Sequence, residues 1–217
     1  MKLFIWDFHG VLEKGNENAV LEISNEVLKK AGHKERFTIN DCRVLYGKKW
    51  YEYFEYLLPN ESYDTHMDLQ ENCFIYQRDN PNVVTKHIKP NDYVHEVLSA
   101  IAKKHKQILI SNTTPEDIDF FLETVGVSCY FENGKAFAAD MHRQSKISKK
   151  DVLKGYLKGK NIKKIILIDD SPSNMDILTA TDGIKTVFYL YSHPGRPFKE
   201  CNASYKINDL REVLKEL

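Results

Sequence analysis

The chain has 217 residues, with 31 lysines and arginines against 31 aspartates and glutamates, so its formal net charge is zero. A balanced chain has no global field to gather phosphate backbones, which disfavours a nucleic-acid partner. At 42% apolar and 29% charged residues it has the composition of one globular domain, or of a core with an insertion. Cys42, Cys73, Cys129 and Cys201 are scattered without CxxC spacing, which excludes a zinc ribbon or thioredoxin motif and suggests reduced structural thiols. No apolar run approaches the ~20 residues of a membrane span, and the run Leu3–Trp6 is too short for a signal-peptide core. No membrane partner and, by default, a cytoplasmic location are expected.

In chain order, the first predicted element is a buried strand at Leu3–Trp6, ending at Asp7. The next comparable run, Ile108–Ile110, comes about 100 residues later, far beyond the ~30 of a strand–helix–strand unit, so a segment is inserted. That segment, from about Glu17 to Val84, reads mostly helical. Val20, Ile23, Val27 and Ala31 make one stripe ending at Gly32, and Thr38 caps a short helix to Tyr46. Trp50, Tyr53, Phe54 and Leu57 make another stripe ending at Pro59, and a further helix covers Asp64 to Arg78. Val94, Val97, Leu98 and Ile101 form a stripe just before the second strand. After it, Thr114-Pro115-Glu116-Asp117 reads as an N-cap, a first-position proline and a first turn of acids. The stripe Ile118, Phe121, Leu122, Val125 and a terminating Gly126 follow. Val152, Leu153 and Leu157 mark a helix, Ile165–Ile168 a third strand ending in Asp169-Asp170, and Ile184–Leu190 a fourth. Strands alternating with helices predict an α/β fold with a parallel sheet.

In such sheets the site lies at the carboxyl ends of the strands, where Asp7, Ser111-Asn112 and Asp169-Asp170 all fall. Asp7, directly after a buried strand, can act as a nucleophile and form an aspartyl-phosphate, or simply cap a turn. Asp169 and Asp170 repel each other unless a cation shares them, and oxygen ligands without nearby His or Cys suit Mg²⁺. One of the pair could instead cap a helix starting near Pro172, which leaves the second unexplained. Ser111, Asn112 and Thr113 offer donors to phosphoryl oxygens.

Taken in order, WDFHGVL (6–12), ILISN (108–112), a lysine near 146 and LIDDSPSN (167–174) resemble the four motifs of the haloacid dehalogenase (HAD) superfamily. The stretch Arg43-Val44-Leu45-Tyr46-Gly47-Lys48 is similar to the cap loop of its phosphoglycolate phosphatase and β-phosphoglucomutase branch. Ile88-Lys89-Pro90 and the tail from Tyr205 extend the likeness over nearly the whole chain. The resemblance implies a Rossmann-like three-layer sandwich formed by 1–14 and 87–217, with a helical C1 cap at 15–86. It implies a hydrolase whose partner is a small phosphorylated metabolite. Asp7 would be the nucleophile, and Ser111 and Asn112 would bind the phosphoryl group. Asp7, Asp170 and the backbone carbonyl of His9 would hold Mg²⁺, with Asp169 or Asn174 orienting bound water or completing the shell.

The motif lysine is assigned to Lys146, ahead of Lys149 and Lys150. Arg43, Lys48 and Lys49 either meet an anionic substrate or form a solvated helix end. His9 stands where the family's phosphatases carry a second aspartate that moves protons. A histidine can do that work near neutrality, or can merely pack. The same departure leaves open a 2-haloacid dehalogenase, a phosphonate hydrolase using a cap lysine, or a non-catalytic binding protein.

Overall fold

The structure is a computed structural model that describes all residues except Asn133, Asp140, Gln144, Ser145, Lys146 and Asp182. The chain opens with strand β1 (Lys2–Trp6), of which only Lys2 is not fully buried, and a short β2 (Glu13–Lys14). Helices α1 (Asn16–Lys30), α2 (Ile39–Val44), α3 (Trp50–Leu57), α4 (Tyr63–Asp79) and α5 (Pro81–His87) follow. Next come β3 (Lys89–Pro90), α6 (Val94–Ala102), β4 (Lys106–Ser111), α7 (Ile118–Thr124), β5 (Ala136–Ala138), α8 (Lys149–Leu157) and β6 (Lys164–Asp169). A 3-10 helix at Pro172–Ala180, β7 (Lys185–Tyr191), β8 (Tyr205–Ile207) and a 3-10 helix at Leu210–Glu216 complete the chain.

Two compact units divide these elements. One comprises Met1–Lys14, Pro90–Met141 and Ser145–Leu217, the other Gly15–Lys89 and His142–Gln144. In the first, six strands form a sheet in the order β5-β4-β1-β6-β7-β8, every pair parallel. The expected α/β fold with a parallel sheet is therefore what forms. Alternation along the strands sends Leu3, Ile5, Ile108, Ile110, Ile165, Leu167, Phe188 and Leu190 to one face, where they pack with Leu153 of α8 and Ile177. The opposite face meets α6, whose Val94, Val97, Leu98 and Ile101 are buried, and the Leu210–Glu216 turn. The sheet thus lies between two helical layers.

The helical unit has its own core, centred on Ile23, Leu28, Cys42, Phe54, Cys73 and Val84. Trp50 Nε1 donates to Ser24 Oγ at 2.8 Å, which satisfies the one polar atom of a large ring. Its α5 continues to His87, one residue past the boundary expected from sequence. Gly15 opens the unit with φ +97°, and a Cβ there would lie 2.3 Å from the His87 carbonyl oxygen, so only glycine fits. All four cysteines are free thiols. Among the described residues no helix is long and apolar enough to cross a membrane.

One expected boundary moves. The helix read from Thr114 begins at Ile118 instead. The buried Thr114 gives its hydroxyl to Asp117 Oδ2 at 2.6 Å, and Asp117 N donates to Thr114 O at 3.2 Å. These bonds hold 114–117 as a separate turn. Downstream, Val127 N donates to Leu122 O at 3.0 Å across Gly126, which ends the helix where expected.

Candidate active site

The sheet topology dictates where a site can form. From β1 the chain builds outward to β4 and β5, then returns to the other side of β1 for β6, β7 and β8. The strand order reverses at β1, and its carboxyl end is the crevice in which open parallel sheets bind ligands. Asp7 sits at that end and continues the ladder, with its N–H donating to Ile168 O at 2.9 Å. Trp6 pairs with Ile168, so Asp7 and Asp169 are neighbours by register.

Both carboxylates are buried, and the Lys149 ammonium lies between them. Lys149 Nζ is 2.8 Å from Asp7 Oδ1 and 3.0 Å from Asp169 Oδ2, with the lysine itself 5% exposed. A capping box fixes the lysine: Ser148 accepts from Asp151 N while the Asp151 side chain accepts from Ser148 N, which makes Lys149 the first residue of α8. A cation there opposes the helix dipole, and the two carboxylates supply the compensation. Lys146 lies outside the described residues, and Lys150 is exposed. The capping box, Ser148-x-x-Asp151, is the sequence signal that distinguishes Lys149 from its neighbours.

Asp169 is fully engaged. Its Oδ1 accepts from Ser171 N at 2.9 Å, and Asn174 Nδ2 donates to both its oxygens at 2.9 and 3.0 Å. Asp169 therefore organises the turn entering the Pro172–Ala180 helix, and Asn174 turns its amide N–H₂ toward that carboxylate. Asp170 is buried too, yet its Oδ1 has no hydrogen-bond partner. Oxygens of Asp7, Asp169 and Asp170 come within 4.8 Å of one another. Ser111, at the end of β4 and 1% exposed, likewise has an unpartnered hydroxyl, while Asn112 beside it is half-buried.

Burial pushes the Asp7 carboxyl up to about 6; Lys149 resists the rise and Asp169 adds to it. Burial also raises Asp170 well above the carboxylate range, with Lys199 opposing and Asp169 and Asp7 reinforcing. Burial alone would lower Lys149, but Asp169 and Asp7 outweigh it and keep the ammonium charged. Were all three carboxylates ionised, the Lys149 ammonium paired with Asp7 and Asp169 would leave the cluster two charges short of balance. An all-oxygen cluster with one buried, unpartnered carboxylate oxygen suits a hard dication such as Mg²⁺.

His9 lies in the loop after Asp7. Its ring meets Phe8 and Phe121 edge-on, with centroids 5.0 and 4.7 Å away. Its Nδ1 is 3.7 Å from Oε1 of Glu13, too long for a hydrogen bond. Glu13 is completely buried, and the same oxygen accepts from Gly10 N at 2.8 Å. Glu13 opens β2 and carries no motif of its own in the sequence; the fold alone brings it beside His9. Arg43 and Lys48 are exposed on the helical unit.

This constellation on this topology agrees with a family comparison. A haloacid dehalogenase-like hydrolase family model matches residues 1–182. The chain belongs to that family. Comparison with curated proteins gave no match. Among solved structures, a predicted phosphatase from Clostridium acetobutylicum is 17% identical with a TM-score of 0.74, covering 99% of this chain and 97% of that one. A haloacid dehalogenase-like family protein from Streptococcus pneumoniae is 15% identical at TM-score 0.71, covering 99% and 97%. A predicted phosphoglycolate phosphatase from Haemophilus somnus 129pt is 14% identical at TM-score 0.73, covering 99% and 96%. At these identities the structures share the fold of this haloacid dehalogenase-like hydrolase.

Proposed function

We propose that this hydrolase is a Mg²⁺-dependent phosphatase of small phosphomonoesters, of the phosphoglycolate phosphatase and β-phosphoglucomutase type. The observation that carries the reading is the buried Asp7 carboxylate, held at 2.8 Å by Lys149 within a three-carboxylate cluster. Asp7 and Asp170, with the His9 backbone carbonyl, would hold the metal, and Asp169 with Asn174 would set the surroundings. When bound, the cation offsets the repulsion between a carboxylate and an approaching phosphate.

In this reading Asp7 Oδ attacks phosphorus, a P–O bond to Asp7 forms, and the bond to the leaving alkoxide breaks. His9 gives that alkoxide a proton. It then takes one from the water that hydrolyses the aspartyl-phosphate and releases phosphate and Asp7. Lys149 keeps Asp7 ionised until attack and then faces the bound phosphoryl group. This assigns to Lys149 the role that the sequence reading gave to Lys146. Ser111 Oγ, buried and without a partner, has a hydroxyl to give a phosphoryl oxygen, with Asn112 beside it. Arg43 and Lys48, as exposed cations, are assigned the non-reacting anionic part of the substrate.

The test is release of phosphate from an aryl phosphate with and without Mg²⁺, followed by a panel of phosphorylated metabolites. Asp7→Asn is expected to abolish turnover, and silence across the panel would refute the reading. His9→Asp and His9→Ala, run in parallel, decide the proton-transfer role. Loss in both makes His9 the acid and base, whereas gain with His9→Asp makes it the limiting group. Because His9 replaces an acid, a carbon-centred reading is the alternative. Metal-independent halide release from a 2-haloacid, or borohydride trapping of a lysine with a phosphono-aldehyde, would favour it.

A further inference from the structure

The turn that follows Asp7 is fixed by its backbone. Val11 N and Leu12 N both donate to Phe8 O, at 3.2 and 3.0 Å, and Gly10 supplies the φ of +81° that the turn requires. The side chains of Val11 and Leu12 are buried, and Asn91 holds both their carbonyls, one from its side chain and one from its backbone. One such turn brings residue 13 over residue 9, as i and i+4 meet on a helix. Glu13, wholly buried at the head of β2, thus stands against His9 inside a fixed frame.

The two ring nitrogens of His9 are not equivalent. Nδ1 is enclosed without a hydrogen-bond partner, and Glu13 Oε1 lies 3.7 Å from it. Nε2 is not enclosed in this way, and the side chain as a whole keeps 22% of its surface exposed. Phe8 and Phe121 meet the ring edge-on and oppose a flip that would exchange the nitrogens. Beside a buried carboxylate oxygen, Nδ1 is stabilised when it carries hydrogen. A lone pair there would leave two electron-rich atoms facing each other away from water. About 0.7 Å of ring motion brings the pair to the ~3.0 Å of a hydrogen bond, the kind of tightening that a bound substrate produces. The same oxygen accepts from Gly10 N at 2.8 Å, a bond that needs an acceptor but not a full charge. Glutamate is rarely buried whole without an ionisable partner, and His9 stands at ion-pair distance.

We propose that Glu13 is the positioning residue of His9: it keeps a proton on Nδ1 and so leaves Nε2 as the nitrogen that exchanges protons. The catalytic consequence rests on the phosphatase reading. In it, Nε2 gives its proton to the leaving alkoxide and takes one from the attacking water, while the Nδ1 proton stays in place. Glu13 itself touches no reacting atom. Histidine free in water favours the opposite neutral tautomer, with the proton on Nε2, so the assignment departs from the default.

Nuclear magnetic resonance of the ring nitrogens reads the tautomer without turnover, on metal-free protein in EDTA about two pH units above the ordinary imidazole value of ~6.5. The His9 signal among the eight histidines is identified by its loss in His9→Ala. In the parent protein Nδ1 is expected as the protonated nitrogen. Glu13→Gln keeps an acceptor for Gly10 N but no charge, and is expected to shift the population toward Nε2–H. The same substitution is expected to lower kcat on an aryl phosphate about tenfold, with KM within about twofold of the parent. A parent ring protonated on Nε2 overturns the proposal, whether or not Glu13→Gln folds. An unchanged tautomer or an unchanged kcat in Glu13→Gln reduces Glu13 to a tie on Gly10 and overturns it as well. Silence of every phosphate ester beside an Nδ1–H ring would sink the phosphatase reading and leave the hold of Glu13 on His9 standing.

Discussion

Replacing Lys149 with methionine keeps the aliphatic stem and removes the charge that two buried carboxylates share at 2.8 and 3.0 Å. Breaking a buried ion pair from one side costs about 3–5 kcal/mol, because the remaining charge is left uncompensated. For a chain of this length each kcal/mol shifts the melting temperature by roughly 2–4 °C, so a fall of about 6–20 °C is expected in EDTA. The defect has a defined pH dependence. In the parent protein Asp7 is raised from 3.8 to about 6, so the folded state holds the extra proton and stability declines as pH rises between those values. Without Lys149 the folded pKa rises further, and the decline continues above pH 6 at up to about 1.4 kcal/mol per pH unit. Urea denaturation of both proteins at pH 5 and pH 8 measures this directly. A defect below ~1 kcal/mol at pH 8, or one of equal size at both pH values, would show that Lys149 does not neutralise Asp7 and Asp169.

Asp7→Asn, expected to abolish turnover, also removes a carboxylate whose ionisation at neutral pH opposes folding. Calorimetry at pH 7.5 should find it melting at or above the parent. Saturating Mg²⁺ at ~100 times its Kd should stabilise the protein by about 2.7 kcal/mol, and Asp170→Asn should shrink that gain, as read by melting with and without the metal. Gly15→Ala places a Cβ against the His87 carbonyl at an unfavourable φ and should destabilise by at least ~1–3 kcal/mol in urea denaturation. Glu216 accepts from Lys164 and Tyr189, and although burial opposes it, these partners hold its carboxyl below 4.5. Its contribution is present above that value and disappears as pH falls through the lowered one. Glu216→Gln should therefore cost about 1–2 kcal/mol at pH 7 and progressively less in acid.

The sheet and the edge that gathers the carboxylates were legible because the central strands are short apolar runs that stop at acids, a pattern imposed by burial on both faces. Asp7, Asp169 and Asp170 could be placed together for the same reason. Lys149 could not be singled out by charge alone, since lysines at 146, 149 and 150 look alike. The cap formed by Ser148 and Asp151 makes Lys149 the first residue of α8 and turns it toward Asp7 and Asp169. β5 escaped notice because Ala136-Phe137-Ala138 is half-buried and too short to show alternation. The Pro172–Ala180 segment forms 3-10 turns whose only fully buried side chain is Ile177, so no 3.6-residue stripe announces it. Glu13 carries no signal in the sequence pattern, because a charged residue is buried whole only when its surroundings are built for it, and those come from the fold.

The two ends of the helical insertion are held close to each other. Asn91 N donates to Leu12 O at 2.9 Å, its side chain donates to Val11 O at 2.7 Å, and Lys14 pairs with Asp92 at 2.6 Å. This changes how the sheet can assemble. β1 and β4 must find each other across about 100 intervening residues, and closing a flexible loop of that length costs roughly 4 kcal/mol by the (3/2)RT ln n rule. Helices with local contacts form early and draw that loop's ends together before the strands meet. The insertion would then act as a folding clamp, setting the rate at which β1 and β4 come into register.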